Sequence, residues 1–172
     1  MKNIIKVLEI GRLPPPLGGV TIPFFNLIEE LKKRKEIHIQ VLEYEYRAYN
    51  YFNIKLMIWN NIIHKLITIY YIYKANIVNF HLDGIGRGIF VYFVLIVSKL
   101  LNRPFILRVF AGTAKDIYED ANWFGRFKFG LLMKSNVITY ESELLTNYFI
   151  KLFPKSKILY FPNTRPLTEN RE

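Results

Sequence analysis

Apolar residues along the chain fall into short runs rich in β-branched residues, which alternate with longer stretches of helical periodicity. The short runs predict strands at 4–10, 37–43, 76–81, 104–110, 136–140 and 157–160. The longer stretches predict helices at 21–35, 54–73, 86–102, 123–134 and 142–152. Strands that alternate with helices favour a parallel sheet covered on both faces. The sequence therefore predicts an α/β fold with a Rossmann-like open parallel sheet.

Length and composition are consistent with one compact domain. The chain has 172 residues, of which 51% are hydrophobic and 22% charged, so it can bury a core and is too apolar for a disordered segment. We expect the domain to span 1–164, with 165–172 starting a linker or tail. The chain has no cysteine, and Met1 leads into a predicted strand without the pattern of a signal peptide. A cytoplasmic location is therefore expected.

The loop after the first predicted strand has the features of a phosphate-binding loop. It contains three consecutive prolines and then Gly18 and Gly19, directly before a predicted helix. The amino-terminal end of a helix favours an anion, and glycine allows close approach of a diphosphate or supplies a positive φ. An ordinary turn explains the two glycines equally well.

Further polar residues follow the other predicted strands, and ligands of open parallel sheets bind beyond the carboxyl ends of the strands. These residues are His81, Asp83, Gly112, Thr113 and Glu141. Each also has a structural interpretation: a buried histidine, a turn-forming aspartate, ordinary loop residues, and a helix cap formed by 141–143. Glycines at 84, 86 and 88 do not match the G-x-G-x-x-G spacing, so the sequence does not predict a dinucleotide site.

Five segments together resemble a known enzyme family. The first strand, the Pro-Pro-Pro-Leu-Gly-Gly-Val loop and the helix at 24–33 resemble the opening of retaining glycosyltransferases of the GT4 type, which have the two-domain GT-B fold. Segments 76–81, 105–112 and 137–143 are similar to the core strands that follow in that family. Segment 158–163 resembles the crossing to the carboxy-terminal domain. The chain departs from the pattern at 110–113, where many members carry a histidine.

The resemblance implies the acceptor-binding half of an enzyme that transfers a sugar from a nucleotide-sugar to a glycan or lipid-linked acceptor in surface polysaccharide synthesis. It implies that Gly18 and Gly19 approach a phosphate, that His81 and Asp83 orient acceptor hydroxyls, and that Arg108 balances phosphate charge. The expected partner is a carboxy-terminal donor-binding domain or a second chain, without which the domain is expected to be inactive. The histidines lack ligand spacing and no Asp-x-Asp occurs, so we expect no metal, with the nucleotide-sugar as co-substrate.

The net charge of +10 draws the protein toward anionic surfaces. Segments 53–74 and 123–129 interleave aromatic and basic residues, as suits helices lying among anionic lipid headgroups, so peripheral attachment to the inner face of the membrane is expected. The apolar run 89–97 is too short to cross a bilayer and predicts a core helix. No nucleic-acid-binding motif occurs, so nucleic acid is not an expected partner. A non-catalytic Rossmann-like binding or regulatory module, and a membrane-peripheral protein without sugar chemistry, stay open as alternatives.

Overall fold

A computed structural model describes residues 4–14, 18–43, 54–82, 88–110 and 112–163, with the backbone alone at 54–60. The described residues form the strands β1 (Ile5–Gly11), β2 (Ile37–Glu43), β3 (Ile77–Leu82), β4 (Phe105–Val109), β5 (Val137–Tyr140) and β6 (Ile158–Tyr160). They form the helices α1 (Thr21–Lys32), α2 (Ile54–Lys74), α3 (Phe90–Leu100), α4 (Ala114–Glu119), α5 (Trp123–Leu132) and α6 (Glu143–Leu152). The predicted site residue Asp83 and the predicted tail at 165–172 lie outside the described residues.

The strands form one parallel sheet in the order β2-β1-β3-β4-β5-β6. The predicted α/β fold with an open parallel sheet is therefore confirmed. From β1 the chain passes to β2 on one side, and it then returns past β1 to place β3 on the other side. The direction of winding thus reverses between β1 and β3, the position where open sheets of this kind form a ligand crevice at their carboxyl edge.

One face of the sheet carries the hydrophobic core. Alternate strand residues point to opposite faces, and the buried strand residues that point to this face are apolar. They pack against buried residues of α2, α3, α4, α5 and α6, among them Ile72, Val94, Ala114, Leu132 and Phe149. The strand residues of this core are Leu8, Ile10, Val78, Phe80, Leu82, Phe105, Leu107, Val109, Ile138, Tyr140 and Ile158.

The opposite face of the sheet is polar near its carboxyl edge. By the same alternation it carries Glu9, Asn79, His81 and Arg108. Helix α1 packs on this face over β1 and β2, and the ring of Phe24 lies against both Gly11 and His81. Helices therefore cover both faces, but α1 is alone among the described helices on the polar one.

Helix α3 differs from the predicted core helix. Its inner side is buried through Val91, Val94 and Leu95, whereas Ile96 and Leu100 on its outer side are exposed. The interpretation of 89–97 as a core helix is therefore wrong for that outer side. Within the described ranges, none of the helices combines the length and apolar composition that crossing a bilayer requires.

Candidate polar site at the carboxyl edge of the sheet

The centre of the polar face is a buried carboxylate, Glu9. Register places Glu9 opposite Asn79, whose Nδ2 donates to both carboxylate oxygens at 3.2 and 2.9 Å. His81 Nε2 lies 2.7 Å from Glu9 Oε2. These hydrogen bonds satisfy a carboxylate that burial would otherwise make very costly.

The His81 imidazole is enclosed by aromatic rings, with the centroid of Phe24 at 4.4 Å and that of Phe110 at 5.8 Å. Burial lowers the pKa of His81, and the hydrogen bond and charge of Glu9 offset only part of that effect. The ring is therefore neutral at pH 7, with its Nε2–H donating to Glu9. This tautomer leaves Nδ1 as a buried acceptor that has no partner among the described residues.

Arg108 lies beside His81 in the register of β3 and β4 and is 4% exposed. Its guanidinium carbon lies 4.7 Å from the ring centroid of Phe110 and 4.4 Å from that of Phe161. Burial lowers the pKa of Arg108 to about 10, although Glu9 and Glu141 raise it, so the side chain is cationic at pH 7. Among the described residues, Nη2 donates to the carbonyl of Pro162 at 3.5 Å. Within the described part of the chain, Nε and Nη1 have no partner.

Glu141 follows β5 and contributes negative charge near Arg108. Its carboxylate accepts a hydrogen bond from Asn163 Nδ2, which ties the segment after β6 to this edge. The predicted helix cap at this position is only partly correct. Ser142 occupies the N-cap of α6 without a side-chain capping bond, while Glu143 supplies the expected acid in the first turn.

Gly18 and Gly19 form the turn that precedes α1. The amide of Gly18 donates to Thr21 Oγ1 at 2.9 Å, and its carbonyl accepts from the amide of Ile22 at 3.2 Å. Among the described glycines the positive φ occurs at Gly88, so the positive φ considered for Gly18 and Gly19 is wrong. A Cβ at Gly19 would meet no atom within 4 Å. Among the described residues the position beside Gly19 is thus open, and the use of this turn by a phosphate stays a prediction.

The remaining predicted residues are more peripheral. Gly112 and Thr113 are exposed in the turn before α4, and Thr113 makes no side-chain capping bond. Two cavities formed by described residues, of about 300 Å³ and about 540 Å³, are lined by none of the predicted site residues. The larger lies at the turn between α1 and β2 and the smaller at the amino-terminal ends of β1 and β2. The structure thus groups His81, Arg108 and Glu141, and leaves Gly112 and Thr113 outside that group.

The sequence analysis missed Glu9, Asn79 and the two rings that sandwich Arg108. A signal for Glu9 exists, because a carboxylate at the centre of an apolar strand is rarely buried without partners. Its partner Asn79 lies 70 positions away, a separation that periodicity does not bridge.

Fold and site together define the chain as an α/β protein with a Rossmann-like open sheet and a buried cluster of charged and polar groups near its carboxyl edge. No protein-family model matches the chain, and no curated protein matches it either.

Proposed function

We propose that this domain binds a phosphorylated sugar compound at the carboxyl edge of its sheet and serves as the acceptor-binding half of a glycosyltransferase. The observation that carries the proposal is Arg108, a buried cation with two donor nitrogens that lack partners among the described residues. A buried donor without a partner costs about 1–3 kcal/mol, and more when it is charged. Phosphate oxygens would remove that cost, because a guanidinium binds them in a bidentate manner.

The position of Arg108 in the sheet supports a ligand at this edge. β4, which carries Arg108, is separated by β3 from β1, and the winding reverses between β1 and β3. Helix α1 follows the carboxyl end of β1, so its amino-terminal end at Thr21 faces the same edge. The positive end of that helix dipole and the Arg108 cation would together attract a diphosphate, with Gly18 and Gly19 in front of the helix.

The histidine in this cluster suits recognition of a hydroxyl group. Glu9 fixes the Nε2–H tautomer of His81 and leaves Nδ1 as an acceptor. His81 is fully buried, so an acceptor hydroxyl would reach Nδ1 only after Phe24 or Phe110 moves. Asp83, two residues further along the chain, would share this role.

Transfer in the proposed enzyme needs a donor-binding domain, either further along the same polypeptide or on a second chain. Both reactants must be held in the orientation for reaction and water must be excluded, which one side of a cleft does not achieve. The nucleotide-sugar is the co-substrate, no metal takes part, and the acceptor is a glycan or a lipid-linked sugar. We place this step at the cytoplasmic face of the cell membrane, where the expected lipid-linked acceptors are held.

Titration calorimetry with pyrophosphate tests the binding part of the proposal. Arg108→Met removes both unpartnered nitrogens and should weaken pyrophosphate binding by tenfold or more. Arg108→Lys keeps the charge but loses the bidentate guanidinium, so its affinity should lie between those of the wild type and the Arg108→Met protein. Arg103→Met is the matched control, because it also removes one cation. Arg103 lies before β4, at the opposite edge of the sheet, where it donates to the carbonyl of Tyr73. Equal binding by the Arg108→Met and Arg103→Met proteins would contradict the proposal.

A second assay tests the transfer part. The chain is mixed with separately expressed donor-binding domains, nucleotide-sugars and lipid-linked sugar acceptors, and release of the nucleoside diphosphate is measured. The proposal expects release only when both halves are present, with loss of release in the Arg108→Met protein. Pyrophosphate binding without transfer in any combination would favour the non-catalytic binding module instead.

A further inference from the structure

The outer side of the helical layer exposes large apolar side chains. On α2 the residues Ile62, Leu66, Ile69 and Tyr73 follow the spacing i, i+4, i+7 and i+11, which places them along one side of the helix. The exposed residues on these helices and at their starts are Ile62, Ile63, Leu66, Ile67, Ile69, Tyr70, Tyr73, Ile89, Ile96, Leu100, Trp123, Phe124 and Phe127. Because α2 contacts α3 and α3 contacts α5, these helices are neighbours in one layer, and their exposed apolar side chains are together named the α2–α3–α5 face.

The outer sides of these helices are less polar than the outer side of a helix that faces water. Thr68 of α2 and Ser98 of α3 are fully buried, whereas Leu100 and Ile89 are 75% and 83% exposed. The Thr68 hydroxyl donates to the carbonyl of His64 at 2.7 Å, so it is satisfied within its own helix. Large apolar residues on the outer side are typical of helices whose outer side meets an apolar medium.

The stretch of sequence that contains α2 and α3 carries charge of almost one sign. Between positions 54 and 115 the sequence has eight lysines and arginines and one acid, Asp83. Lys65, Lys99 and Lys128 lie on α2, α3 and α5, and Lys128 contacts the ring of Phe124 at 5.2 Å. The nearest acids along the chain are Asp116 and Glu119 of α4, and Glu119 accepts a hydrogen bond from Tyr148 and lies 3.8 Å from Lys115.

We propose that the α2–α3–α5 face docks on the surface of a bilayer that contains anionic lipid. The apolar side chains would enter the boundary between headgroups and acyl chains, and the lysine stems would extend to the anionic headgroups. The described helices cannot span a bilayer, so they lie in its surface. This inference goes beyond the proposed function, because it names the docking face and holds whether or not the domain takes part in sugar transfer.

Vesicle flotation tests the apolar part of the face. The wild-type protein is mixed with vesicles of phosphatidylcholine alone or of phosphatidylcholine with phosphatidylglycerol, and we expect it to float with the anionic vesicles. Leu66→Gln/Ile96→Gln should lower the partition coefficient by about tenfold, because two side chains no longer move from water into the apolar boundary. Both residues are already exposed in water, so the fold should survive, which circular dichroism checks.

The matched control for the apolar variant is Ile22→Gln/Phe25→Gln. Both residues are exposed to a similar extent on α1, on the opposite side of the sheet, so vesicle binding should not change. For charge, Lys65→Gln/Lys99→Gln should lower binding to anionic vesicles by about 25-fold, since each lysine near such a surface contributes about a fivefold gain. Lys155→Gln/Lys157→Gln, before β6, is the control with the same loss of charge.

Three results would overturn the proposal. The first is a wild-type protein that does not float with anionic vesicles, and the second is a Leu66→Gln/Ile96→Gln protein that floats as well as the wild type. The third is an oligomer, formed without lipid, that these substitutions dissociate while flotation stays unchanged. The last result would assign the face to a second copy of the chain. Pyrophosphate titration of the Leu66→Gln/Ile96→Gln protein separates this proposal from the proposed function, because its binding should equal that of the wild type.

Discussion

Gly11 offers the sharpest test of how the polar site is packed. It ends β1 beneath the ring of Phe24, and a Cβ at this position would lie 2.6, 2.7 and 2.8 Å from Cζ, Cε1 and Cε2 of that ring. Phe24 is fully buried, and the imidazole of His81 lies 4.4 Å away, centroid to centroid. The ring therefore cannot withdraw unless α1 or His81 also moves.

Gly11→Ala should lower the free energy of unfolding by about 1–3 kcal/mol, the usual cost of overpacking a filled core. For a domain of this size, about 2–4 °C in melting temperature corresponds to each kcal/mol, so we expect a decrease of about 2–12 °C. The φ of Gly11 is not positive, so the backbone itself accepts alanine and the effect isolates the steric contact. Urea unfolding and thermal melting followed by circular dichroism measure it.

Gly19→Ala is the matched control, because its new methyl group meets open space. With a backbone that alanine can adopt, this change should be neutral or stabilise the protein by up to about 1 kcal/mol. Phe24→Leu should recover part of the loss in the Gly11→Ala protein, with a coupling of about 0.5–3 kcal/mol. If the Gly11→Ala protein is as stable as the Gly19→Ala protein, the described contact between β1 and α1 is wrong.

Three further predictions concern buried polar groups. Glu9→Leu should destabilise the protein by about 3 kcal/mol or more in urea unfolding, since it leaves Asn79 and His81 without their acceptor and Arg108 without a buried counter-charge. Because the pKa of His81 is lowered in the folded protein, the unfolded protein takes up the proton at a higher pH. The free energy of unfolding should therefore fall as the pH drops below about 6.5, by at most about 1.4 kcal/mol per pH unit. His81→Gln should remove that pH dependence. Tyr140→Phe deletes a buried hydroxyl without a described partner and keeps the stacking on Phe149, so thermal melting should show unchanged stability or a gain of about 1 kcal/mol.

The alternation of short β-branched runs and helical stretches was sufficient to predict the six strands and the parallel sheet, because strands and long helices differ in the period of their apolar residues. Helix α4 was missed, since it has six residues and buries only Ala114 among them. The predicted end of α1 was also too late. Lys32 pairs with Glu29 one turn earlier, and the charged residues after it form the turn into β2 instead of a further helical turn.

The site was less accessible to sequence reasoning than the fold. His81 was singled out by its place at the end of a predicted strand and Arg108 by the family resemblance, and the structure does place them side by side. Their surroundings depend on register between strands and on the ring of Phe24 from α1, neither of which a local pattern contains. The exposed side of α3 was missed for a related reason: an apolar run has the same composition whether its outer side faces protein or lipid.

The proposed docking face and the proposed sugar site extend to the same edge of the sheet. Helix α3 follows β3 and ends before β4 begins, so Ile89 at its start lies toward the carboxyl edge, and Trp123 at the start of α5 lies toward it as well. Trp123 is 80% exposed. A lipid-linked acceptor held at this edge would have to pass over it to approach Arg108 and His81, which lie on the opposite face of the sheet. If the acceptor is held there, Trp123→Ala should raise the KM for a lipid-linked acceptor in the two-half assay and leave the KM for a water-soluble analogue unchanged. An equal rise for both acceptors would mean that Trp123 acts on the fold or the site itself, and not through the membrane.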